Sequence, residues 1–288
     1  MMYFPVWKRL LFPSRSGIAL SGSSYPQLSG MTYNMAQILC IANQKGGVGK
    51  TTTAVNLAAG LGLLGKKTLL VDSDSQANAT TGLGINKNSL KKTLYHGLIG
   101  EVDAKSIILD TDIEALKMIP SRIELIGFEV EMMSSEGREG AMERLLSQVW
   151  DDFEYIIIDC PPSLSLLTVN AMTVADSVLI PLQSEFYALE GLSQLLQTIE
   201  RIRQTFNPGL KICGILLTMF DQRTNLSRQV AEEAENYFKG KERVFKTMIP
   251  RNVRLGEAPG FGKPILLYDP GSVGAKSYFA LAEEIAAG

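Results

Sequence analysis

The chain has 288 residues, 45% hydrophobic and 20% charged, with 28 Lys and Arg against 30 Asp and Glu and a net charge of −2. That is enough apolar chain for one large α/β domain with a substantial core, and a second domain is not required. The slightly acidic balance excludes attraction of the whole molecule to DNA or membrane, so any such binding must come from a local basic patch. No apolar run approaches the roughly 20 residues that cross a bilayer, which points to a soluble, cytoplasmic protein without integral membrane association.

Residues 1–34 differ in character from the remainder of the chain. Residues 1–12 are apolar around Lys8 and Arg9, and residues 13–30 are rich in Ser, Gly and Pro without sustained periodicity. They read as a flexible extension or the product of an upstream start codon. The charges lie within the apolar stretch and not ahead of it, which disfavours a signal peptide; a short amphipathic anchor over residues 3–12 is the other reading.

From residue 35 strand and helix signals alternate, predicting a mostly parallel twisted sheet with helices on both faces. The first strand is expected over 38–42, followed by the glycine-rich run Lys45-Gly46-Gly47-Val48-Gly49-Lys50-Thr51-Thr52. Its glycines let the backbone wrap a phosphate, with N–H groups and the positive end of the next helix converging on the anion. Lys50 is placed to reach β- and γ-phosphates and Thr51 to offer its hydroxyl to Mg2+. The pattern departs from G-x-x-x-x-G-K-[ST] by Gln44 at its first position and a second lysine, Lys45, at the mouth.

A helix over 51–64 stopped by Gly65 and a strand over 68–72 come next. The centre is less periodic, with a short helix near 90–98, a strand near 115–119 and a helix from 121. A helical stripe over 138–150 precedes a buried strand over 155–159. Strands over 178–182, 212–218 and 244–249 come after it, separated by helices over 188–206 and 225–238, and a helix over 275–287 closes the chain. Asp72, Asp74 and Asp159 fall at or just beyond strand carboxyl ends, where open parallel sheets gather their ligands. Asp159, after three isoleucines, matches a Walker B acid that holds Mg2+ directly or through water, although an Asp there can also be a plain turn residue before Pro161 and Pro162.

Taken together, KGGVGKTT (45–52), DSDSQAN (72–78), YIIIDCPPSL (155–164) and TMIPRNVRLGEAP (247–259) resemble the ParA/Soj family of chromosome-partitioning ATPases, over residue 35 to the end. The resemblance implies a single P-loop NTPase domain using ATP and Mg2+. It implies that Asp74 positions the attacking water while Asp72 supports the metal, and that Lys45 reaches across an ATP-dependent homodimer to the partner's phosphates. Pro250 and Asn252 match positions that meet the adenine; Pro250 is also what a strand-terminating proline would look like. Ser75 and Ala77 stand where the family has Pro and Gly, which puts the shape of that loop in question.

For DNA, Arg223, Arg228, Lys241, Arg243, Lys246, Arg251 and Arg254 concentrate in the last third of the chain. Arg223 and Arg254 match family positions for non-specific duplex binding, and a ParB-like centromere-binding partner is implied as the stimulator of hydrolysis, with a nucleoid-associated location. No base-reading motif is present. A MinD-like membrane-cycling ATPase is the alternative; the tail Leu281-Ala282-Glu283-Glu284-Ile285-Ala286-Ala287-Gly288, without lysine or arginine, argues against it. An iron–sulfur protein on the same loop is disfavoured by the three cysteines, Cys40, Cys160 and Cys213, which read as core residues of a reducing compartment. The single His96 has no ligand partners nearby in sequence and supports no catalytic triad.

Overall fold

Continuous apolar runs build the centre of a seven-stranded sheet, and a computed structural model of the chain describes residues 35–185 and 188–288, with side chains outside 186–190. Along the chain run β1 (Gln37–Ile41), α1 (Lys50–Leu63), β2 (Thr68–Asp72), α2 (Asn78–Gly82), α3 (Leu94–Leu98), β3 (Leu109–Asp110) and β4 (Leu116–Ile119). They continue with α4 (Leu125–Glu131), α5 (Ala141–Leu146), β5 (Tyr155–Asp159), α6 (Leu166–Val174), β6 (Ser177–Gln183) and α7 (Ala188–Thr205). The last are β7 (Lys211–Thr218), α8 (Asn225–Phe238), α9 (Val253–Glu257), α10 (Ile265–Tyr268) and α11 (Val273–Ala286). The reading of residues 1–34 as a flexible extension or amphipathic anchor lies outside the described residues.

The sheet order is β3-β4-β2-β5-β1-β6-β7, parallel throughout except for the β3–β4 pair at one edge. Both faces are covered, because side chains alternate along each central strand. Ile38, Cys40, Leu69, Val71, Ile156 and Ile158 enter one core with residues of α3 to α8. Leu39, Ile41, Leu70 and Ile157 enter the other with α1, α10 and α11. Gly65 closes α1 as expected, at φ 78°, with Lys66 N–H donating to the Leu61 carbonyl and Gly65 N–H to Gly62, the paired bonds of a Schellman cap.

Several expected elements are corrected. No ladder forms over 244–249; Val244 and Pro250 make isolated parallel bridges to Ile215 and Phe220. Single hydrogen bonds such as Ile249 N–H to the Leu217 carbonyl at 2.9 Å lace this extended strap along β7. The helix expected from 90 begins only at Leu94, behind an extended Thr93, and the one expected from 121 begins at Leu125. The stripe over 138–150 divides into a 3-10 turn, α5 and a second 3-10 turn. Strand β3 and helices α2, α6, α9 and α10 have no counterpart in the expected set.

Candidate functional site

The phosphate-type loop leaves the carboxyl end of β1, in the middle of the sheet, and turns directly into α1. Gly47 and Gly49 take φ of 76° and 88°, which a side chain would strain. Three tethers fix the loop. Asn43 Oδ1 accepts from Lys45 N–H at 3.0 Å while Asn43 Nδ2 donates to the Pro181 carbonyl at 2.7 Å. Thr218 Oγ1, at the end of β7, donates to the Val48 carbonyl at 2.9 Å. Lys50 Nζ donates to the Lys45 carbonyl at 2.9 Å. Meanwhile the main-chain N–H groups of residues 46–52 make no hydrogen bond of ordinary geometry to a described residue, so the loop presents a run of available donors at the start of a 14-residue helix, an arrangement that suits an anion.

The sheet register brings the acids to this loop. Asp159 pairs in register with Ile41 on one side and Asp72 on the other, so the ends of β1, β5 and β2 form one row. Asp72 is fully buried, and its Oδ2 accepts from Thr80 N–H at 2.8 Å and Thr80 Oγ1 at 2.7 Å. Burial pushes its carboxyl up to about 6, against the Thr80 and Asp74 hydrogen bonds that favour the charge. Burial, reinforced by the Asp72 carboxylate, holds Asp159 well above the ordinary carboxylate range, with Thr51 and Lys50 beside it pulling the other way. Neither oxygen of Asp159 makes a hydrogen bond of ordinary geometry. A buried carboxylate with orphaned oxygens beside a second carboxylate and a threonine fits a cation. Among the described residues no three His, Cys, Asp or Glu side chains form a metal cage, and Mg2+ in nucleotide sites characteristically takes one or two carboxylates and fills its remaining positions with phosphate and water.

Lys50 is buried, which lowers its pKa, while Asp159 and Asp74 oppose that shift. Asp74, just beyond β2, is buried and its Oδ1 accepts from Gln76 N–H at 2.9 Å. Lys45 lies at the rim, where its ammonium is ion-paired with Glu185 on the loop after β6. Beyond the loop, a cavity of about 210 Å³ is lined by Gly49, Thr218, Met219, Pro250, Arg251 and Asn252 among others. Pro250 and Asn252 therefore open onto the same recess as the phosphate-type loop. A larger groove of about 840 Å³ lies elsewhere, lined by residues such as Lys67, Lys105, Lys117 and Phe153, and contains none of the predicted site residues.

Asn43, Thr80, Glu185, Thr218 and Met219 were not singled out from the sequence. Asn43, two residues before Lys45, was the most accessible of these; the others lie far from the loop in the chain and carry no motif signal.

A family model described as an AAA domain matches residues 36–212. The chain is 55% identical over 253 residues to the sporulation initiation inhibitor protein Soj of Bacillus subtilis, covering 88% of this chain and 99% of that protein. It is 52% identical over 251 residues to the chromosome partitioning protein ParA of Myxococcus xanthus, covering 87% and 88%. The chain belongs to the ParA/Soj family of partitioning ATPases. Among solved structures, cobyrinic acid a,c-diamide synthase from Mycobacterium smegmatis with bound ADP and magnesium superposes with a TM-score of 0.77 at 36% identity, over 88% of this chain and 94% of that one.

In this ParA/Soj-family chain the departure at Ala77 has a conformational signature. Ala77 is fully buried and takes φ 56°, ψ 40°, the left-handed region, immediately before α2. The backbone thus keeps the shape that a glycine would supply, at a cost of roughly 1–2 kcal/mol for alanine. The two arginines lie at the same end of the sheet, since the Phe220–Pro250 bridge joins the loop after β7 to the segment before α9. Arg223 is forked onto Asp221 through bonds of 2.9 and 2.7 Å and holds that carboxyl down at about 2. Arg254 pairs with Glu257 at 2.8 Å and Asp269 at 3.6 Å. Both remain exposed, but neither is a free cation. No helix among the described residues is long and apolar enough to cross a membrane.

Proposed function

We propose that this ATPase is a DNA-segregation switch, in which ATP closes a homodimer that holds non-specific duplex DNA and hydrolysis releases it. The observation that carries the reading is the row at the carboxyl ends of the central strands, where buried Asp159, whose oxygens make no hydrogen bond of ordinary geometry, stands between Asp72 and the donors of the loop. The β- and γ-phosphates are assigned to residues 46–52 and to Lys50, which must leave the Lys45 carbonyl to meet them. Thr51, Asp159 and Asp72 would hold Mg2+, directly or through water. Bound there, the ion neutralises charge on the phosphate oxygens. Asp74, beside this row, orients the attacking water, and Pro250 and Asn252 receive the adenine.

Lys45 supplies the link to assembly. Its side chain is at the rim and partly exposed, so it can exchange Glu185 for phosphates of a facing subunit, and hydrolysis removes the contact that favoured the closed dimer. Arg223 and Arg254 from both subunits then contribute phosphate contacts that are salt-sensitive and sequence-independent. A ParB-like partner is the expected accelerator of hydrolysis.

The test is retention of the purified protein on random-sequence duplex DNA in ATP and in ADP, with Mg2+, across a salt series. Retention in ATP that weakens with salt and falls on Arg223→Ala or Arg254→Ala supports the switch. Equal retention in both nucleotides, or none in either, overturns it.

A further inference from the structure

Helix α4 carries its apolar residues on two opposite sides. Leu125 and Phe128 face the core and are fully buried. Ile123, Ile126, Val130 and Met133 are 59%, 53%, 67% and 68% exposed. Their 3-4-3 spacing sets them in one stripe, running about 15 Å along the helix and its flanking turns. Four large apolar side chains in a row differ from the singly scattered exposed residues found on any surface.

The surroundings are acidic on both flanks. Along residues 122–139, Glu124, Glu129, Glu131, Glu136 and Glu139 accompany Arg122 and Arg138, which are already ion-paired with Glu124 and Glu139, while Arg144 of α5 donates to the Gly137 carbonyl at 2.8 Å at the far end. Glu129, Glu131 and Glu136 have no cationic partner among the described residues, and Glu129 Oε1 is buried without a hydrogen bond. A second copy of this face laid on the first would set like charges together. A helix whose apolar stripe is flanked by lysine or arginine would match both the stripe and the acids.

The stripe is also wired to the candidate site. Ser121, just ahead of α4, donates its N–H to Thr80 Oγ1 at 3.0 Å, and that hydroxyl donates to Asp72 Oδ2 at 2.7 Å. The Pro120 carbonyl accepts from Leu94 N–H at 2.9 Å, which fixes the same turn from the other side. A displacement of the α4 entry is therefore felt at Asp72 through two hydrogen bonds. We infer that the exposed stripe of α4 is the docking face for a basic amphipathic helix of a partner protein, and that its occupancy reaches the hydrolysis site through Ser121, Thr80 and Asp72. This rests on the reading that a partner governs hydrolysis.

The probe is a labelled synthetic helix of about 20 residues with a leucine stripe flanked by lysines, alongside one flanked by glutamates. Fluorescence anisotropy follows its binding to the full chain across a salt series, and phosphate release follows ATP hydrolysis. The lysine helix is expected to bind with salt-weakened affinity and to change the hydrolysis rate. The doubly substituted Ile126→Ser, Val130→Ser chain is expected to bind it at least about tenfold more weakly, by two lost apolar contacts. Thr80→Val is expected to keep binding but lose the rate change, with Thr80→Ser restoring it.

Equal binding of both helices, or undiminished binding by the double variant, overturns the docking face. A double variant that instead alters self-association in sedimentation assigns the stripe to a second copy and overturns it too. DNA retention in ATP is measured in parallel. Loss of retention by the native chain sinks the segregation reading, whereas the docking face stands or falls on the peptide binding.

Discussion

Lys45 and Glu185 form an ion pair within one chain, joining the mouth of the phosphate-type loop to the loop after β6. Both side chains are about one-third exposed, at 38% and 33%, so the pair is worth at most about 1 kcal/mol. That is small enough to be exchanged for phosphate. Glu185→Gln is expected to lower the protein concentration needed for the ATP dimer by up to about thirtyfold, since each of the two subunits gives up one such pair. Lys45→Ala is expected to bind nucleotide and remain monomeric. Light scattering in ATP and ADP separates the cases; an ATP dimer formed by Lys45→Ala removes Lys45 from the interface.

Lys50 and Asp74 should separate binding from chemistry. Lys50→Ala removes the buried cation beside Asp159 and is expected to abolish detectable binding of a fluorescent ATP analogue. Asp74→Ala leaves the loop donors intact and is expected to retain ATP while hydrolysis falls by at least about a hundredfold, as for loss of a positioned catalytic group. Nucleotide binding and phosphate release measured on the same preparations check both.

The left-handed Ala77 makes an unusual stability prediction. Ala77→Gly relieves roughly 1–2 kcal/mol of backbone strain, while losing about 0.8 kcal/mol of methyl burial and about 0.4–1 kcal/mol through unfolded-chain entropy. The terms nearly cancel, so its melting temperature is expected to stay close to that of the native chain. Ala58→Gly, at an equally buried position inside α1, has no strain to relieve and should cost about 2 kcal/mol. Differential scanning fluorimetry of the two variants compares them directly.

Glu284 should give stability a defined pH dependence. It accepts from Lys246 N–H and Thr247 N–H at 3.1 Å and from Arg243 at 2.9 Å, tying the strap along β7 to α11. Burial pushes its carboxyl up, but the Thr247, Lys246 and Arg243 hydrogen bonds outweigh this and hold it below its ordinary 4.5. A carboxyl depressed on folding contributes stability above its unfolded value, and the contribution is lost as pH falls through the folded value. Glu284→Gln is therefore expected to destabilise the protein at neutral pH by about 1–3 kcal/mol. The deficit should shrink below pH 4.5, which chemical denaturation at two pH values measures.

The loop and the acids were legible because they are local signals. Glycines at fixed spacing and isoleucine runs ending in aspartate state a strand, a turn and a helix within a few residues, and the observed β1, α1, β2 and β5 match them closely. Helix α6 was missed because Leu166–Val174 is buried nearly all round and shows no amphipathic period. The strap at 244–249 carries a strand's apolar residues, yet it makes only isolated bridges to β7.

By itself, the sequence determined the family and the two-faced parallel sheet and singled out Lys45, Lys50, Thr51, Asp72, Asp74 and Asp159 as the candidate site, since each depends on residue type and short spacing. The tertiary structure alone decided that Asp72 meets Asp159 in register, that Glu185 holds Lys45, that Arg223 and Arg254 carry acidic partners, and that Thr80 connects Asp72 to α4. Most of these pairs lie far apart in the chain. The nearer ones, such as Arg223 with Asp221, depend on side-chain orientation, and neither strand register nor side-chain direction is encoded by local spacing.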